Sequence, residues 1–212
     1  MHGRDSTGAH HRVTVLVDEA RWPWRGERWA HLCSDDSVAE LHRFAEALGL
    51  RRVSFQGDHY DVDRGKRAAA LAAGAEPVGS RELVRRVRAA GLLGRAVRAQ
   101  YRWRLLAMVE PGAGGAAALA ERLGPALTGE APTERAEGLL EALRLLADHR
   151  PGVRLLVRPG ELAAVVSRPV GAAGGVGGMA GTERAELAAL VDAVHHTEDR
   201  GTAVTELFVR LP

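Results

Sequence analysis

Near the start of the chain, apolar runs too short for helices alternate with segments of helical periodicity, and that alternation leaves few architectures open. Val13–Val17 is apolar without alternation, the pattern of a strand covered on both faces. Ser37 and Glu40 form a capping box, after which Leu41, Phe44, Ala45 and Leu48 recur at helical spacing until Gly49. Arg52–Gln56 reads as a second strand, Asp63–Ala73 as an alanine-rich helix closed by Gly74, and Glu76–Val78 as a third strand. Ser80 caps a further helix carrying Leu83, Val84 and Val87. Strands and helices at this spacing favour parallel pairing through right-handed crossovers. Residues 12–92 are therefore expected to form a small Rossmann-like α/β domain, a parallel sheet between helices, with residues 1–11 a disordered tail.

The rest, residues 93–212, reads as an α+β region. Arg104–Val109 is strand-like, Gly115–Leu123 helical, and a helix over 134–149 carries Leu139, Leu140, Leu143 and Leu146 on one side. Val153–Arg158 and Leu162–Arg168 flank Pro159-Gly160-Glu161, which predicts a hairpin. A helix after Thr182 carries Leu187, Leu190, Val191 and Val194, placing His195 and His196 at its end, and Val204–Arg210 closes the chain as a strand. Gly175 to Ala180 matches the G-x-G-x-x-A form of a dinucleotide fingerprint, but no acidic residue follows at the end of a second parallel strand, so a loop is the better reading.

Apolar and charged content, 46% and 26%, exclude disordered and fibrous classes. No apolar run is long enough to span a membrane, and Met1–Arg12 lacks the apolar segment of a secretory signal. A single cysteine, Cys33, forbids an internal disulfide and points to a reducing, cytoplasmic setting. The net charge of +2 hides an asymmetry: residues 1–104 hold 19 basic and 13 acidic side chains, the remainder 10 and 14. Arg81, Arg85, Arg86, Arg88, Arg95, Arg98, Arg102 and Arg104 form a basic stripe, which reads either as a solvated helix face or as a phosphate-attracting surface.

In an open parallel sheet, ligands bind beyond the carboxyl ends of the strands. The expected strand ends carry Asp18 and Glu19, then Gln56, Asp58, His59, Tyr60 and Asp61, then Ser80, and the loop after the first strand adds Trp22, Trp24, Arg25, Trp29, His31 and Asp35. These residues carry a resemblance. The run Val17-Asp18-Glu19-Ala20-Arg21-Trp22-Pro23-Trp24-Arg25-Gly26 is followed by Trp29-Ala30-His31-Leu32, Glu40-Leu41-His42-Arg43-Phe44-Ala45, Phe55-Gln56 and His59-Tyr60-Asp61-Val62. Together with Arg67, Gly74-Ala75 and Ser80-Arg81-Glu82-Leu83, this pattern resembles the bacterial and phage family known as domain of unknown function 4031, over residues 13–88. The resemblance implies that His59-Tyr60-Asp61 and the Asp18–His31 stretch belong to one recurring module. It brings no activity with it.

The residue types themselves suggest chemistry. Asp18, Asp35, His59 and Asp61 suit a divalent metal, Mg²⁺ or Mn²⁺ from the carboxylates and, less so, Zn²⁺. His31 or His59 can move a proton near neutral pH, with Asp18 and Asp61 completing the catalytic set. Trp24, Arg25, Gln56, Tyr60 and Arg67 are the candidate substrate contacts: arginines clamp phosphate and tryptophans stack a base. Each has a plainer reading: Asp61 as a helix cap, Tyr60 and the tryptophans as core, His31 bonded to a loop carbonyl, His42 on the surface, Cys33 merely buried. The expectation is a metal-dependent phosphoester hydrolase acting on a nucleotide or nucleic acid. The alternative is a non-catalytic module that binds nucleic acid or protein through its tryptophans and basic helix.

Overall fold

The structure, a computed structural model, describes residues 15–24, 26–147, 150–170, 179, 181–199 and 201–212. The expected tail, Arg25 and the glycine stretch 171–178 lie outside the described residues. The chain groups into two compact units: the first runs to Phe44 and resumes over Asp58–Gly94, and the second comprises Ala45–Gly57 and Arg95–Pro212. Among the described residues no helix is long and apolar enough to cross a membrane.

The first unit is a mixed sheet with helices. Strand β1 (Val15–Val17) is followed by β2 (Trp22–Trp24) and the longer β3 (Glu27–Ser34), then by helix α1 (Val38–Ala47), which runs across the unit boundary. After it come β4 (Tyr60–Asp63), α2 (Arg64–Ala72), β5 (Glu76–Pro77) and α3 (Ser80–Ala89). β3 pairs antiparallel with β1, β2 and β4, and β1 pairs parallel with β5. The expected run of three parallel strands is thus replaced by a mixed sheet with one parallel pair. The supposed second strand, Arg52–Gln56, is a 3₁₀ turn over Arg52–Ser54. The supposed loop after β1 folds instead into the β2–β3 hairpin, turning at Gly26 with φ +78°, a conformation that glycine adopts without strain.

Alternation along these strands sorts the side chains. Val17, Leu32, Ala30, Val62 and Tyr60 share one face, all essentially buried, where α2 packs through Ala70. Leu16 and Cys33 share the other face and meet Leu83 and Val87 of α3. Cys33 is therefore a buried core thiol.

The second unit is an antiparallel sheet with helices, as expected of an α+β region. The sheet order is β6 (Arg104–Val109), β7 (Gly152–Arg158), β8 (Glu161–Pro169), β10 (Thr202–Arg210), β9 (Ala193–Asp199). Helices α5 (Ala116–Thr128), α6 (Thr133–Leu145) and α7 (Gly181–Ala188) bury Leu123, Leu139 and Leu187 against Leu155, Ala164 and Leu207 of the sheet. A short α4 (Arg95–Tyr101) precedes β6. His195 and His196 lie within β9 rather than at a helix end, because α7 stops at Ala188 and the chain turns to pair with β10.

Candidate functional site

Asp18 is the first residue past β1. Its N–H donates to the His31 carbonyl at 3.1 Å, continuing the β1–β3 ladder by one rung. The return bond comes from the side chain: His31 N–H donates to Asp18 Oδ1 at 2.7 Å, while the Asp18 carbonyl accepts Arg67 Nε at 2.6 Å. Asp18 Oδ2 accepts the Ser80 hydroxyl at 2.8 Å and lies 3.0 Å from His31 Nδ1. The carboxyl is wholly buried. Burial alone opposes ionisation, yet the His31 side-chain and backbone bonds and the Ser80 bond outweigh it and hold the pKa below the ordinary range.

Register brings the other groups to the same place. His31 and Asp61 are direct cross-strand partners on β3 and β4, and His59, two residues before Asp61, projects to the same side. His59 Nδ1 lies 2.5 Å from Oδ1 of the buried Asp58, and its Nε2 lies 3.4 Å from Asp61 Oδ1. His31 Nε2 lies 4.0 Å from the same Asp61 oxygen. The two imidazoles meet edge to face at 4.9 Å. Burial pulls the His59 pKa down, but the bonds to Asp58 and Asp61 prevail and raise it to about 9. The His59 bond in turn holds Asp61 below the usual carboxylate range. One potential ligand atom from each of His31, His59 and Asp61 lies within 4.8 Å of the other two.

Four of the expected residues, Asp18, His31, His59 and Asp61, are therefore brought together, and Arg67 is tied to the same point through the Asp18 carbonyl. Others are placed elsewhere. Asp35 follows the far end of β3 and binds Arg86 Nε at 2.6 Å, an arginine that also holds Glu76 at 2.9 Å. Tyr60 is buried on the opposite face, its hydroxyl 2.7 Å from His42 Nδ1, so His42 is a half-buried partner rather than a surface group. Gln56 is exposed and clusters with the second unit. Trp24 is 53% exposed and packs edge-on against Trp29 at 5.1 Å. Its neighbour Trp22 is the tryptophan that reaches the site, 5.6 Å from the His31 ring. The cap of α2 is Asp63, which accepts Lys66 N–H at 2.8 Å, and Asp61 is thereby left for other work. Asp58 and Ser80, which the sequence places at expected strand ends without a role, also take part, Asp58 through His59 and Ser80 through Asp18.

All these groups fall within one stretch of sequence. The model of the family described as "Protein of unknown function (DUF4031)" matches residues 15–90. Residues 15–90 are a DUF4031 family domain. The DUF4031 domain thus contains the whole His/Asp group and its supporting Ser80 and Arg67, while residues 91–212 lie outside the match. No curated protein matches the chain.

The site's packing gives a first expected outcome. Tyr60→Phe removes a buried hydrogen bond without touching the His31–Asp61 face, so chemical denaturation should show a loss of about 1 kcal/mol, with the behaviour of the histidine pair unchanged.

Proposed function

We propose that the DUF4031 domain is a metal-dependent phosphoester hydrolase whose divalent cation is held by His31 Nε2, His59 Nε2 and Asp61. One observation carries this reading. Each imidazole has its Nδ1 fixed by a buried carboxylate, Asp18 or Asp58, while both Nε2 atoms converge on a single Asp61 oxygen. A carboxylate on Nδ1 orients the ring, so that a cation displacing the Nε2 proton would find the lone pair aimed at it. Asp18, with both oxygens engaged, serves as an orienting group, and Asp35, neutralised by Arg86, stands apart. Two imidazoles with one carboxylate favour Mn²⁺ or Zn²⁺ over Mg²⁺.

A divalent cation there would supply Lewis acidity toward a phosphoryl oxygen and an activated water. The chain's own groups do the rest. Arg67, anchored by Nε, keeps its terminal nitrogens for phosphate oxygens. Trp22, 54% exposed beside His31, offers a stacking surface for the base of a nucleotide or nucleic acid. The group lies just past the carboxyl end of β1, where Ser80, the first residue of α3, donates to Asp18.

The exposure of Trp22 and Trp24 favours a second reading, a non-catalytic nucleic-acid-binding module. Its basic helix is weaker than the sequence suggests, because Arg85 is neutralised by Glu82 and Arg86 by Asp35 and Glu76. Metal-stripped protein titrated with Mn²⁺ or Zn²⁺ separates the two. The hydrolase reading expects a rise in melting temperature and cleavage of bis(4-nitrophenyl) phosphate, both lost in Asp61→Ala. Metal-independent binding of a single-stranded oligonucleotide, with no metal response, supports the module instead.

A graded pair of variants tests the assigned roles. Asp18→Asn should weaken metal retention about 10–100-fold, the usual cost of losing an outer-shell partner. Asp35→Ala should leave it within about twofold, as expected of a site without shared partners. Competition against a chromogenic chelator measures both.

A further inference from the structure

We propose that the second unit contains a binding site for a small organic anion, in the cavity beside the β7–β8 turn. The cavity has a volume of about 490 Å³ and is lined by Arg102, Arg104, Glu130, Arg158 and the apolar Val157 and Leu211, among others. Ligand sites for small molecules commonly fall between about 300 and 1,000 Å³. All the lining residues belong to the second unit, outside the DUF4031 match, so this inference stands apart from the hydrolase reading.

Charge decides what the cavity admits. Three arginines face one glutamate among the lining residues, and that glutamate is already taken: Arg104 Nη2 donates to Glu130 Oε1 at 2.6 Å. Arg102 is exposed and has no acceptor among the described residues. Arg158 is the built part of the site. It is 7% exposed, its guanidinium lies 4.4 Å from the Trp103 ring and 5.3 Å from that of Tyr101, and its Nε donates to Glu161 Oε2 at 2.9 Å. Nη2 goes to the same oxygen, while Nη1 is buried with no acceptor among the described residues.

A guanidinium held rigidly by stacking and by one carboxylate fixes this wall of the cavity in place, and the exposed Arg102, with no acceptor among the described residues, supplies the donors for an oxyanion. Leu211, Val157, Pro159 and Pro212 supply apolar surface next to it. The ligand that satisfies both halves carries one carboxylate or phosphonate-like group on an apolar body.

Calorimetric titration of the full chain, stripped of metal and at low salt, tests this with phenylphosphonate, benzoate and inorganic phosphate. Phenylphosphonate or benzoate should bind saturably and more tightly than inorganic phosphate, and the two organic anions distinguish phosphonate from carboxylate preference. Arg102→Ala/Arg104→Ala, which changes only exposed side chains, should weaken binding at least tenfold with an unchanged circular dichroism spectrum. His31→Ala should leave it unchanged. Absence of saturable heat with all three anions, equal affinity for inorganic phosphate, insensitivity to the double substitution, or loss in His31→Ala would each overturn the assignment.

Discussion

Substitution of His31 by alanine should abolish the metal response of this protein while leaving it folded. With Mn²⁺ or Zn²⁺ at about 100 times its dissociation constant, the wild-type chain gains about 2.7 kcal/mol of stability from binding to the folded state. His31→Ala removes one of three ligands, and the gain should fall to near zero. Phosphodiester cleavage should drop by about 100-fold or more, beyond the range typical of an outer partner. His31 is the better choice of the two imidazoles. Asp18 keeps the His31 backbone amide and the Ser80 hydroxyl when the ring is gone, so its buried carboxylate remains partnered. His59→Ala removes the imidazole paired with the buried Asp58 and should lower stability as well as activity. Comparison of the two variants by calorimetry with and without metal separates loss of a ligand from loss of fold. A full metal response in His31→Ala would be incompatible with the proposed centre.

Glu206→Gln should stabilise the second unit at alkaline pH by about 3 kcal/mol. Glu206 sits on the interior strand β10 with no exposed surface. One oxygen accepts the Arg52 N–H at 2.8 Å, and the other, Oε1, is buried with no hydrogen-bond partner among the described residues. Burial raises its pKa from 4.5 to about 7, against the opposing pull of the Arg52 and Val53 amides and the nearby arginine charges. The folded state therefore holds a proton that the unfolded chain releases near 4.5. Stability from this group is present below pH 4.5, falls as pH rises toward 7, and stays lost above it. A difference of this size corresponds to about 3 kcal/mol at 1.36 kcal/mol per unit. Glutamine keeps the shape and the acceptor for the Arg52 amide without the titration. Denaturation at pH 8 and pH 5 should show the variant more stable at the first and no more stable at the second. An equal gain at both would mean that the proton on Glu206 plays no part.

The sequence singled out this group of side chains better than it located the strands. Asp18, His31, His59 and Asp61 are legible as polar residues flanking apolar runs, and they do meet, but through a different geometry. They share a site because β3 and β4 run antiparallel with His31 opposite Asp61, not because parallel strands end side by side. β3 is hard to read because the residues alternating with the buried Ala30 and Leu32 are the half-buried rings of Trp29 and His31 rather than plainly polar side chains, which weakens the period-two signal. β4 carries the same signal in Tyr60 and Val62, and at four residues it is easily lost beside the α2 cap. Arg52–Gln56 misled in the opposite direction. Its apolar Val53 and Phe55 look like a strand, but the backbone amide of Arg52 is captured by Glu206, a partner 154 residues away that no local pattern announces. Asp35 was misassigned for a similar reason: its fate depends on Arg86, which α3 delivers from far along the chain. The antiparallel sheet of the second unit was easier. β7 and β8 are long and apolar, and Gly160, with φ +74°, marks the turn between them.

Two carboxylate-backed imidazoles and Asp61 are proposed to form one cation site. Anomalous diffraction from crystals of the protein loaded with Zn²⁺ or Mn²⁺ tests it most directly. The expected map has a single strong peak within coordination distance of His31 Nε2, His59 Nε2 and an Asp61 oxygen, with Asp18 and Asp58 bonded to the two Nδ1 atoms. A cation bound elsewhere, or none bound while His31, His59 and Asp61 keep their mutual contacts, would contradict it.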